Sequence, residues 1–261
     1  MSATKLLPEL SEDHPRALPW VMLLCALGLF AYVAIRSATI DITIDEAYSW
    51  KFFSYGPHLY PQKYDVTTAN DHWLNSWLVQ LTGGVFGPRN WALRLPNVLA
   101  FAVYLFFTAR FVLSFRARWY TLAAFLLLNV HPYLLDFFSA ERGYGLAFGA
   151  MSACIFFLFR FSGSLARKDL CFFLLAGCLA VLANFAVISF FMVALGMAVL
   201  LTLLSKNADR KKLLLLTVCV SVPFLAIVVP HLFHMQHSGA LYYGENSLWE
   251  GTAKSVFTSL L

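Results

Sequence analysis

Two adjacent carboxylates, Asp45 and Glu46, stand in the run Ile44-Asp45-Glu46-Ala47-Tyr48-Ser49-Trp50, shortly after the first long apolar stretch. A carboxylate held at a membrane surface can take the proton of an attacking hydroxyl, which is the work of a general base. The plainer use of Asp45 is to cap a short interfacial helix running on through Trp50 and Phe53. Further along, Asn70-Asp71-His72-Trp73 offers Asp71 and His72 to a divalent metal, although two neighbours fall short of the three or more ligands such sites use. Asp136, in Leu135-Asp136-Phe137-Phe138, sits among aromatics near the end of an apolar run, where an ionisable group is a functional candidate by default. Its plainer use is an ion pair with Arg142. The two uses are compatible, because an arginine fixed by a carboxylate is also well placed to grip a phosphate. Arg94, in Leu93-Arg94-Leu95-Pro96-Asn97, is expected to snorkel to the headgroups. His231, His234 and His237 follow the last apolar run at a spacing that matches no zinc site, and read as a polar membrane exit.

The elements that must position these residues are set by a composition foreign to water. The chain is 60% hydrophobic and 13% charged, against about a quarter charged in a soluble domain. Its net charge of +5 does not point to nucleic acid, because the basic residues fall in short clusters between apolar runs, as membrane orientation requires. All five cysteines lie inside those runs, so no disulfide framework is implied. The first run follows an acidic leader (Glu9, Glu12, Asp13) with no small-residue cleavage site, and reads as a retained signal anchor.

A bilayer crossing needs about 20 apolar residues. The runs Leu18 to Ile35, Leu95 to Phe115, Trp119 to Phe138, Tyr144 to Phe159 and Leu213 to Pro230 meet or approach this length. Leu170 to Leu204 is too long for one span and divides near Asn184 to Val187 into two short antiparallel helices. The segment His72 to Phe86 has Trp73, Leu74, Trp77, Leu78, Leu81 and Val85 at helical spacing and His72, Asn75, Ser76 and Gly83 on another face. It reads as a helix lying flat in the interface. With the N-terminus inside, the basic clusters at Arg116 and Arg118, at Arg160, Arg167 and Lys168, and from Lys206 to Lys212 all fall on the cytoplasmic side. Most carboxylates, including Asp45, Glu46, Asp71, Asp136 and Glu141, then fall outside. The expected fold is an all-α polytopic membrane protein of about seven spans. A cytoplasmic tail (1–17) precedes a transmembrane module (18–230) whose long first outer loop (36–94) carries interfacial helices, and an outer C-terminal segment (231–261) follows.

The order of these motifs resembles the GT-C glycosyltransferases. It runs from Asp45-Glu46 after the first span through the helix opened by His72, Phe86-Gly87 and Leu93-Arg94-Leu95-Pro96 to Arg142-Gly143-Tyr144 after the third span. The look is closest to the bacterial members of the dolichyl-phosphate-mannose protein mannosyltransferase-like group, which includes the lipid A aminoarabinose transferases. The resemblance covers Leu18 to Pro230. It implies a polyprenyl-phosphate sugar donor, a reaction on the non-cytoplasmic face of a bacterial plasma membrane, and inversion at the anomeric carbon. By that likeness Asp45 is the general base and Glu46 its supporting carboxylate. Arg142 and Arg94 face the donor phosphate, Asp71, His72, Asp136 and Tyr144 line the site, and a divalent metal has room to take part. The prolines common after the family's histidine are missing here, as are the further helices and soluble domain of many members. The acceptor, a lipid, a glycan or a protein, stays open. A transporter or flippase of a lipid-linked precursor is the competing expectation, and a non-catalytic truncated module the third.

Overall fold

The computed structural model describes residues 17–55, 72–115, 118–205 and 209–237 of the 261-residue chain. Asp71, the tail before Ala17, the middle of the first outer loop and the segment after His237 lie outside the described residues.

Among the described residues the structure is helical. Helix α1 (Leu18–Thr39) opens with Pro19 in its first turn, where proline's fixed φ suits the start of a helix. A short α2 (Ile44–Ser49) runs into a π-helical turn, Trp50–Ser54, and α3 (Trp73–Phe86) and α4 (Asn90–Val112) follow. The rest of the bundle is α5 (Arg118–Asn129), α6 (Pro132–Ser139), α7 (Tyr144–Ser164), α8 (Arg167–Ala183), α9 (Ile188–Leu204) and α10 (Arg210–His237). Among the described residues five helical segments, α1, α4, α7, the run Phe185–Leu204 and α10, are long and apolar enough to cross a membrane, and six are if α5 and α6 form one bent span. Trp20, Leu24, Leu127 and Val193 stand 68–81% exposed on them, a surface suited to lipid and costly in water. This is the build of a multi-pass membrane protein.

Three elements differ from expectation. The apolar run Trp119 to Phe138 is not one straight helix, because α5 and α6 meet at 53°. Pro132 has no N–H to continue the ladder and holds His131 extended (φ −102°, ψ 123°), which ends α5. The last helix passes through Pro223 and Pro230 to His237, so His231 and His234 are helical, and the His231 ring packs against Trp73 and Phe185. In α3 the polar stripe faces inward. Asn75, Ser76 and Gly83 are buried with Trp73 and Val79, while Trp77, Leu81 and Val85 are exposed. Its 14 residues span only about 21 Å, too short to cross. The break between α8 and α9 falls where expected: Asn184 leaves the helix and its side chain accepts a hydrogen bond from the Ala186 N–H, starting the turn Phe185–Val187.

One apolar core joins α1, α4, α5 and α6, and a second joins α7 to α10 with Trp73 of α3. The two meet along α4 and α7. A Cβ on Gly149 of α7 would come within 2.8 Å of the Ala100 carbonyl on α4, so these helices pack backbone to backbone, as small residues permit in membranes.

Candidate functional site

The site is built where the ends of α1, α4 and α6 meet α2 and α3. Thr43 begins α2 with a reciprocal cap. Its hydroxyl accepts from the Glu46 N–H, and the Glu46 carboxylate accepts from the Thr43 N–H at 2.8 Å. Thr43, not Asp45, is therefore the cap, and the side chain of Asp45 is free for other contacts.

Glu46 is the buried member of the acidic pair, 1% exposed. Both its oxygens take hydrogen bonds from Arg94, at 2.7 Å each, and Oε1 also accepts the Glu141 backbone N–H at 2.7 Å. The rest of Arg94 caps the end of α1: Nη1 donates to the carbonyls of Ser37 and Ile40, and Nη2 to that of Asp41. An arginine carries five N–H donors, and here every one has a protein acceptor. Arg94 neither snorkels nor keeps a donor for a phosphate; it locks α4 to α1 and α2. Glu46 likewise braces the fold rather than the Asp45 carboxylate. Burial alone would raise the Glu46 pKa, but the Arg94 hydrogen bonds, the two backbone N–H donors and the Arg94 charge outweigh it. They hold this carboxyl below its ordinary 4.5.

Because Glu46 grips the Glu141 N–H, the loop between α6 and α7 is pinned beside α2. That places Arg142 against Asp45, with Nη2 2.9 Å from Oδ2 and the two side chains 39% and 47% exposed. Two residues 97 positions apart by their numbers thus form an open ion pair next to a closed one. Gly143 completes the loop in a left-handed conformation (φ +69°). A Cβ there would strike the Ala183 carbonyl and the His72 ring, so glycine is required twice over. Tyr144 starts α7 with its ring against Phe137 (4.7 Å) and His72 (5.9 Å).

Asp136 does not pair with Arg142. Its partner is Arg36, in the last turn of α1, at 2.6 Å. His72 is buried at the start of α3; burial, then the Arg142 charge, lowers its pKa to about 4 and keeps the ring neutral, and its Nδ1 has no hydrogen-bond partner. Asp71 lies outside the described residues, and among those described no three His, Cys, Asp or Glu side chains are grouped to hold a metal.

The remaining participants had not been singled out. Glu141 is fully buried; Asn75 donates to its Oε1 at 2.6 Å, Asn97 donates to Asn75, and the Leu146 N–H donates to Asn97. This chain of amides ties α3 and α4 to the first turn of α7, satisfying one of that helix's open N–H groups. Burial drives the Glu141 pKa well above its ordinary 4.5, and its Oε2 is unpartnered. The Thr43-Ile44-Asp45-Glu46 spacing is a capping-box signature that could have separated the roles of the two carboxylates beforehand. Nothing in sequence distinguishes Glu141 from an exposed loop acid. A cavity of about 230 Å³ lined by Tyr104, Phe107, Phe111 and Ile155, among others, contains none of these residues.

Comparison with known proteins finds no matching family model, no matching curated protein and no matching solved structure.

Proposed function

We propose that this chain is an inverting glycosyltransferase of the GT-C type, moving a sugar from a polyprenyl-phosphate donor to a lipid, glycan or protein acceptor on the non-cytoplasmic face of a bacterial plasma membrane. The observation that carries the reading is the open pair Asp45–Arg142 at 2.9 Å. It supports the reading by setting an exposed carboxylate and an exposed guanidinium side by side at the helix ends, the two groups a base and a phosphate grip would need. The acceptor hydroxyl gives its proton to Asp45 as its oxygen bonds to the anomeric carbon. The bond from that carbon to the phosphate oxygen breaks on the opposite face, and the lipid phosphate leaves bound to Arg142. His72 and Tyr144 line the approach. Arg94 and Glu46 act through the pinned loop as positioning residues. In this reading the bent pair α5 and α6 is one span and the 17-residue α8 another, which makes about seven crossings.

The test is sugar transfer from a polyprenyl-phosphate sugar by the purified full chain. Asp45→Asn keeps the shape and is expected to lose about 100-fold or more in turnover, the scale of general-base catalysis. Turnover equal to the parent in Asp45→Asn removes the enzyme reading. One observation favours a transporter or flippase instead: Glu141, buried, with its pKa raised by that burial and its Oε2 unpartnered, is the kind of group proton-coupled carriers use. Proton uptake by proteoliposomes on addition of a lipid-linked precursor, lost in Glu141→Gln, would select that reading.

A further inference from the structure

The cavity of about 230 Å³ lies between α4, α5 and α7. Its wall follows α4 from Tyr104 to Phe111, which at 1.5 Å per residue is about 15–25 Å along the helix from Arg94. We propose that this cavity seats one acyl chain of an anionic phospholipid whose phosphate rests on Arg110, at the end of the bundle opposite the Asp45–Arg142 pair. The transfer reaction plays no part in this site. Three hydroxyls stand in the wall, and each already donates to a backbone carbonyl: Tyr104 to Leu128 at 2.9 Å, Thr108 to Tyr104 at 2.8 Å and Ser152 to Gly149 at 2.7 Å. With no hydroxyl donor left over and the rest of the lining aliphatic or aromatic, the cavity suits hydrocarbon and not a sugar. At its rim Leu128 and Ile155 are exposed on the outer surface of their helices, so the opening faces the bilayer.

Charge selects the headgroup. Arg110 follows Phe107 by three residues, on the same face of α4, and is exposed. Phe111 packs against Phe159 at 5.4 Å, so this end of α4 is also the end of α7, and α8 and α10 begin at the same end. Here Arg160 holds the buried Asp169 at 3.3 Å and Lys212 holds Asp209 at 2.8 Å. Arg110, Arg167, Lys168, Arg210 and Lys211 stay exposed, with no acid partner among the described residues. Basic groups around an opening between membrane helices are what anionic lipid headgroups recognise. A second copy of this chain would suit the groove poorly, because side by side in one membrane it would bring its own cations against these. An anionic phospholipid supplies both the missing negative charge and the chain that fills the groove.

The experiment is native mass spectrometry of the detergent-solubilised full chain with added palmitoyl-oleoyl phosphatidylglycerol or phosphatidylcholine, in the parent, Arg110→Gln, Arg210→Gln and Ile155→Trp. The parent is expected to retain one phosphatidylglycerol with a preference of about five-fold or more over phosphatidylcholine. Arg110→Gln should lose about five-fold of that preference, the worth of one basic residue at a headgroup. Arg210→Gln, at the same end but on α10, should keep it. Ile155→Trp fills the mouth of the cavity from the lipid-facing side and should lower retention of both lipids about five-fold or more. Ser152→Leu fills the same cavity from its wall and replaces it if Ile155→Trp melts early. Equal retention of the two lipids by the parent, or retention of neither, overturns the proposal. So does a loss in Arg210→Gln as large as in Arg110→Gln, since diffuse charge then does the selecting, and so does lipid retention indifferent to both filling variants. Dimers in place of lipid adducts, dissolved by Ile155→Trp, would give the groove to a second copy and overturn it as well.

Discussion

Replacing Arg94 with leucine removes the cation from a carboxylate that is 1% exposed, takes the Arg94 donors from the carbonyls of Ser37 and Asp41, and leaves that of Ile40 only the Asn90 amide at 3.2 Å. Breaking one side of a buried pair costs about 3–5 kcal/mol, and the lost donors to the Ser37 and Asp41 carbonyls, at and beyond the end of α1, place this case toward the upper part of that range. Lysine keeps the charge but has three donors in place of five, so Arg94→Lys should recover only part of the loss. Glu46→Leu combined with Arg94→Leu removes both buried charges and should melt above Arg94→Leu alone. The assay is thermal unfolding of the purified chain in detergent, followed by loss of monodisperse protein. The low Glu46 pKa fixes the pH dependence. Its stabilisation is present above the ordinary value of 4.5 and is lost as pH falls through the lower folded value. An Arg94→Leu protein that melts with the parent at pH 7, and a parent whose stability ignores acid, would together refute the clamp.

Glu141 has the opposite sign. A carboxyl whose folded pKa is raised is destabilised by rising pH, from 4.5 up to its folded value. Glu141→Gln should therefore melt at or above the parent at neutral pH and lose that decline, as a pH series of melting curves will show. Gly143→Ala must place a Cβ against the Ala183 carbonyl at φ +69°. A loss of about 2 kcal/mol or more is expected in the same unfolding assay. Single cysteines at Arg89 and Arg210, in a background without native cysteines, should react with an impermeant thiol reagent from opposite sides of the membrane, Arg89 from outside intact cells. Labelling of both from outside would invert or break the topology.

Much of the helical architecture was legible because apolar length answers to the bilayer directly. The division at Asn184 could be read from a run too long for one crossing. The bend at Pro132 was missed because an apolar run records hydrophobicity and not the loss of an N–H. The reversed face of α3 was missed because amphipathic patterns are usually read against water; beside lipid, the polar stripe turns toward protein. At the site, the chemistry-bearing types at Asp45, Arg142, His72 and Tyr144 were legible, but their partners were not. Arg94 looked like a headgroup anchor, and its acceptors are the Glu46 carboxylate, 48 residues away by number, and three backbone carbonyls, which have no sequence signature. Asp136 looked paired with the nearest arginine in sequence, whereas the bundle gave it one from α1. Asn75 and Asn97 meet only because α3 docks on α4, a tertiary event.

The hydrogen bond from the Glu141 N–H to Glu46 spans 95 residues, while Arg94 and Glu46 are 48 apart. During synthesis the chain emerges N-terminus first, so the Glu46–Arg94 clamp can close once α4 is in the membrane, with Glu46 Oε1 still short of one donor. Only when α5 and α6 have been made and residue 141 has emerged does the last N–H arrive, bringing Arg142 with it. Assembly of the Asp45–Arg142 pair is thus a late event in biogenesis, coupled to correct packing of the bent helix pair. A chain in which α5 and α6 fail to pack would keep its clamp and lack its open ion pair.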